Sequence, residues 1–132
     1  MALFGKDKRK KKRIHVAASV VFTVQSGKDP KRVSSPVTGI VKDLSPKGMS
    51  VATPLIAPDG IHVMYDTLMI HQNSINATIF LEGKAPVQVT GTVAWFRNGE
   101  DRQGSFIFGM RFNDEAAVEE LFLPDEGTSS TR

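Results

Sequence analysis

Arg9 and Arg13 stand four apart inside the run Lys8–Arg13, where every other residue is lysine. An arginine carries a planar fork of donors that grips phosphate in bidentate fashion and stacks on a flat base, whereas lysine offers a point charge. Two such groups at the entrance to a strand suit an anionic, aromatic ligand. A second group lies about thirty residues on. Asp43 and Ser45 are two apart in a stretch that reads as extended, so both project to one side. A carboxylate there can accept from the adjacent N–H donors of a guanine edge, and the hydroxyl beside it can donate or accept. Gly48 would allow close backbone approach. Taken singly, each stretch has a plainer reading. The basic run is then a solvated tail or polyanion binder, and Asp43–Gly48 a hairpin turn.

Other chemistry finds little support. His15, His62 and His71 are scattered without metal-ligand spacing, and the chain has no cysteine. No nucleophile elbow or phosphate-binding loop is present. Neither catalytic residues nor a metal site nor a cofactor is therefore expected. Trp95, at the end of a strand, reads as core before it reads as a ligand platform. Met64, Met69 and Met110 read as core fillers.

The chain has 132 residues, 40% hydrophobic and 23% charged, which suits one ordinary domain with a core. Its net charge of +3 is concentrated: residues 6–13 are strongly basic, and the last twenty residues are acidic. A general nucleic-acid binder would repeat its basic face along the chain. No apolar run approaches the ~20 residues of a membrane helix. Basic residues ahead of "VAASVVF" resemble a secretory signal, but the apolar stretch alternates with polar residues and lacks leucine.

Six strands are expected to position these groups. From Ile14 to Gln25 apolar residues recur at period two, which makes a strand with one buried face. Residues 26–36 form a loop by their Gly, Pro and Ser content. Residues 37–55 read as two strands joined at Ser45-Pro46-Lys47-Gly48, with Gly48 permitting a left-handed backbone where the second strand departs. Residues 56–74 are read as one or two further strands or an insertion. Residues 75–83, 86–97 and 105–112 alternate as strands. Asn113 or Asp114 can cap a short helix over 115–122, which Pro124 stops. Short antiparallel strands at even spacing favour a small closed barrel.

Arg9-x-x-x-Arg13 ahead of a strand, then Asp43-x-Ser45-x-x-Gly48 between two strands, resembles the PilZ domain family. So do "VQVTGTVAW", "SFIFGMRF" and the short acidic helix behind them, which extends the resemblance over roughly residues 9–122. It implies an all-β fold, a six-stranded antiparallel PilZ-type β-barrel with a short C-terminal helix, that binds the bacterial second messenger cyclic di-GMP. By the same resemblance Arg9 and Arg13 clamp phosphate and meet guanine, Asp43 and Ser45 read the guanine, and Gly48 shapes the turn. Trp95 stands where some members carry an aromatic near the ligand. Lys8 precedes the first arginine, where a basic residue helps hold a second ligand molecule. Two departures stand out: lysines fill the space between the arginines, and 56–74 is longer than the family's usual connection.

The expectation is a non-catalytic cytoplasmic receptor. Residues 1–13 are a flexible basic arm, 14–123 the barrel domain with its helix, and 124–132 a disordered tail. Ligand would order the arm and create a surface for an unidentified protein partner in motility or biofilm regulation. The protein would be a monomer or weak dimer without a transmembrane segment or specific nucleic acid. The alternatives are a nucleic-acid-binding β-barrel with a basic arm and a PilZ-fold protein-interaction adaptor without ligand. Against the former, Phe22, Phe80, Phe106, Phe108 and Phe112 all fall on core faces, leaving no exposed aromatic stripe.

Overall fold

Alternating branched and polar residues build six strands: β1 (Ala18–Gln25), β2 (Val37–Ser45), β3 (Gly48–Thr53), β4 (Ser74–Phe80), β5 (Val87–Asn98) and β6 (Phe106–Phe112). The structure, a computed structural model, describes residues 18–66, 68–99 and 105–122. Every neighbouring pair is antiparallel, and the order β1-β2-β3-β6-β5-β4 closes into a barrel through β1 and β4. Closure removes the free edges that would otherwise invite pairing with another chain.

The inward residues form one core. Val20, Phe22 and Val24 of β1 meet Leu44, Val51, Ile75, Ile79, Val93 and Phe108, all fully buried. Phe22 and Phe108 pack edge to face, with ring centroids 5.3 Å apart. One barrel end is closed by the segment after β6, a 3-10 helix over Glu115–Phe122 that buries Val118 and Leu121. Asp114 starts it: its Oδ1 accepts from the Ala116 N–H at 2.9 Å, and its carbonyl from the Ala117 N–H.

The opposite end is closed by the crossover from β3 to β4, residues 54–73. Among its described residues it contains no strand; its regular structure is one 3-10 turn at Pro58–Gly60 and an isolated bridge between Tyr65 and Gln72. Ile61 and Val63 drop into the core from it. Asn73, 1% exposed, ties it down. The Asn73 side chain donates to the His62 carbonyl at 2.6 Å and accepts from the Gly27 N–H at 2.9 Å. The extra strands considered for this stretch are therefore not formed.

Several residues sit differently from expectation. Gly48 has no left-handed backbone; among the described glycines only Gly60 and Gly83 have positive φ. Gly48 is required for another reason: it pairs with Arg111, and a side chain there would strike the Met110 carbonyl of β6. Phe80 and Met69 are exposed, not core, and Trp95 is 42% exposed. The expected start of β1 at Ile14 lies outside the described residues.

Candidate functional site

Two β-bulges frame the site. In β2, Val37, Gly39 and Val41 are buried, and strict alternation would turn Asp43 inward with them. The β2–β3 register shifts between Val41 and Asp43, so Asp43 pairs with Ser50 and Leu44 takes the buried position. Ser50 lies between buried Met49 and Val51, hence on the outer face, and its hydroxyl donates to Asp43 Oδ2 at 3.1 Å. In β5, Val89, Gly91 and Val93 are buried, and the register shifts between Val93 and Trp95. Trp95 thus pairs with Gly109 on the outside of β6.

Gly109 lets the indole lie against the β6 backbone, since any Cβ there would collide with the Trp95 ring. The Arg97 guanidinium lies 5.8 Å from that ring's centre, within cation–π range. Ser45 holds the hairpin: its hydroxyl donates to the Gly48 carbonyl at 3.4 Å and accepts from the Lys47 N–H at 3.3 Å.

These residues share one cleft of about 650 Å³ on the outer wall formed by β2, β3, β6 and β5. Four cations line it, Lys42, Lys47, Arg97 and Arg111, against one carboxylate, Asp43. An aromatic plate, a positive field and a carboxylate acceptor are the parts needed to stack a base, hold phosphate and read base N–H donors.

The expected residues Asp43, Ser45, Gly48 and Trp95 are brought together in this cleft. Arg9, Arg13 and Lys8 lie outside the described residues. Sequence reasoning missed Arg97, Arg111 and Gly109. Arg111 was open to inference, because it stands between Met110 and Phe112 and must face outward if they face in. What placed it near Asp43 was the β3–β6 pairing, which alternation does not predict. Among the described residues no cluster of metal-ligating side chains occurs.

The PilZ domain profile matches residues 7–122. Among curated proteins none matches. Solved structures with the same fold include the inhibitor of motility MotI/DgrA from Bacillus subtilis (TM-score 0.54, 12% identity, 87% of this chain and 47% of that one). They also include the PilZ domain of YcgR from Escherichia coli, solved with c-di-GMP (TM-score 0.54, 13% identity, 87% and 88%). A third is MrkH, described as a c-di-GMP-dependent transcription regulatory factor (TM-score 0.50, 12% identity, 86% and 48%). The chain spans about half the length of MotI/DgrA and of MrkH. With the profile spanning nearly its whole length and the barrel in the matching topology, this chain belongs to the PilZ domain family.

Proposed function

We propose that this chain is a non-catalytic receptor that binds cyclic di-GMP in the cleft between Asp43 and Trp95. The observation that carries the reading is the convergence of the Trp95 plate, the Asp43 carboxylate and four cations on one outer wall. Two neighbours of the same fold are described as c-di-GMP-bound or c-di-GMP-dependent, which supports it.

In this reading residues 1–13 are an arm that supplies Arg9 and Arg13, with Lys8 assisting a second ligand molecule. Residues 14–123 are the barrel domain, and 124–132 a tail. Ala18 pairs with Val41, two residues from Asp43, so the chain enters β1 beside the cleft. Arg13 precedes Ala18 by five positions. That span reaches at most about 17 Å when extended, enough to bring a guanidinium over the wall. Bridging by a dianionic ligand would fix the arm against Asp43 and Ser45 and present a new surface to a protein partner. Ordering costs about 1–2 kcal/mol per residue fixed, which charge-assisted contacts and stacking must exceed.

Titration calorimetry with cyclic di-GMP tests this directly. Arg13→Lys should weaken binding strongly although charge is kept, because lysine lacks the planar fork. Asp43→Ala should cost about 1–3 kcal/mol and narrow the preference over cyclic di-AMP. Replacing Lys10, Lys11 and Lys12 with Ala should spare cyclic di-GMP affinity but reduce binding to generic polyanions. Equal loss of both would favour a nucleic-acid-binding barrel, and undiminished binding by the Arg13→Lys variant would sink the clamp.

A further inference from the structure

A second concavity, of about 640 Å³, lies at the barrel end closed by the crossover. Half-buried Met64 and Tyr65 lie within it, with Phe96 at its wall, packed edge-on to His62 at 4.9 Å between centroids. Leu68 and Met69 project beside them, 68% and 72% exposed. The β1–β2 loop contributes Lys28 and Arg32 to the same groove.

The apolar tip is built to be presented. Asp66 Oδ1 accepts from the Ile70 and His71 N–H groups at 2.8 and 3.2 Å, and Asp66 Oδ2 meets His71 Nδ1 at 2.8 Å. Backbone bonds run from Met69 N–H to the Asp66 carbonyl and from Asp66 N–H to the His71 carbonyl. Met69 has φ of 61°, a left-handed conformation that an ordinary side chain rarely adopts. A closed loop holding a strained, exposed methionine gains nothing for the core, and such strain clusters at binding segments.

We propose that this groove docks an amphipathic, acidic segment of a partner protein. Its apolar ridge would lie on Met64, Met69 and Phe96, and its carboxylates would meet Lys28 and Arg32. Methionine and aromatic side chains in a concave groove suit an inserted ridge of side chains. A flat bilayer would reach Leu68 and Met69 but not Met64 below them. Lys28 and Arg32 outnumber the groove's one carboxylate, Asp66, which His71 already engages, so the balance of charge calls for acids on the occupant. A second copy of this chain cannot supply them through its acidic 3-10 helix, whose apolar residues Val118 and Leu121 are already buried in its own barrel. The inference goes beyond the cleft reading and stands whether or not cyclic di-GMP binds.

The test uses the full chain and two short synthetic helices with the same leucine stripe, one carrying glutamates and the other lysines. Vesicles containing phosphatidylserine serve as a third probe. The glutamate helix should bind at least about tenfold more tightly than the lysine helix, with NMR shifts at Met64, Met69 and Phe96. Met69→Asp, tolerated at an exposed left-handed position, should weaken it about tenfold, and Lys28→Glu should also weaken it. No binding, equal binding of both helices, shifts confined to the Trp95 cleft, insensitivity to Met69→Asp, or binding to vesicles in place of the helix would each overturn the proposal.

Discussion

The cleft on the barrel wall and the groove at the barrel end are nearly equal in volume, about 650 and 640 Å³, but are built by opposite means. The cleft is positioned by strand register: Asp43 by its pairing with Ser50, Trp95 by its pairing with Gly109. The groove is positioned by side-chain hydrogen bonds, above all those of Asn73 and Asp66, in chain with almost no regular structure. Backbone ladders fix polar chemistry on a rigid wall; local clasps shape an apolar surface that can differ without disturbing the barrel. The two should therefore fail separately.

The largest effect should come from Gly48→Val. A side chain there meets the Met110 carbonyl, so β3 and β6 must part. A loss of about 3 kcal/mol in urea unfolding is expected, together with cyclic di-GMP binding. Wild-type stability would show that the wall does not depend on that close approach. Next is Asn73→Ala, which leaves the His62 carbonyl and the Gly27 N–H without this partner. It should cost about 2 kcal/mol yet leave cyclic di-GMP affinity within error, as measured by calorimetry. A parallel fall in affinity would break the separation.

Gly109→Ala should do the converse. Its Cβ displaces the exposed Trp95 ring while the β6 backbone stays paired. Affinity should fall about tenfold, or about 1.4 kcal/mol, with the far-ultraviolet circular dichroism unchanged.

The smallest effect is on pH. Burial lowers the His62 pKa below its ordinary 6.5. Its Nδ1 also accepts from the Met64 N–H at 3.0 Å, which a protonated ring could not do. The unfolded chain then binds the proton first. This contribution to stability is complete above 6.5 and is lost as pH falls from there through the lowered value. Asp66 behaves differently. Its hydrogen bond with His71 is the main cause holding its pKa at about 2, so its contribution is complete above 3.8 and is lost as pH falls from there through about 2. Acid titration followed by amide protection should loosen Met64 well before Ile70. Simultaneous release would mean that the crossover opens as one unit.

Alternation revealed most of the barrel, because β1, β2 and β3 each have one buried face and Ser45-Pro46-Lys47-Gly48 marks the turn. The crossover was illegible for a physical reason. Its order comes from Asn73 reaching Gly27, 46 positions away, and such a bond leaves no period in the sequence. Trp95 read as core as an isolated tryptophan at a strand end; it is also in step with buried Val89, Gly91 and Val93, and nothing local announces the shift that turns it out. Arg97 and Arg111 carry no signal of their own in the sequence; the place of β6 between β3 and β5 is what brings them to the cleft. Phe80 is out of step with buried Ile75, Ala77 and Ile79, so alternation itself turns it to solvent, beside Ser19 of β1.

Each bulge adds a single residue to its strand, and the two flank one cleft. Deleting Lys42 would close its bulge without turning Asp43 over: Asp43 would follow Val41 directly, still outward opposite Ser50, with Leu44 still inward. Deleting Ala94 would likewise leave the Trp95 indole outward opposite Gly109. Either deletion would thus keep the core alternation and remove the local bend and added twist that aim the carboxylate and the indole into the cleft. The two bulges can therefore be trimmed as readily as side chains can be exchanged, with the inward residues kept in register.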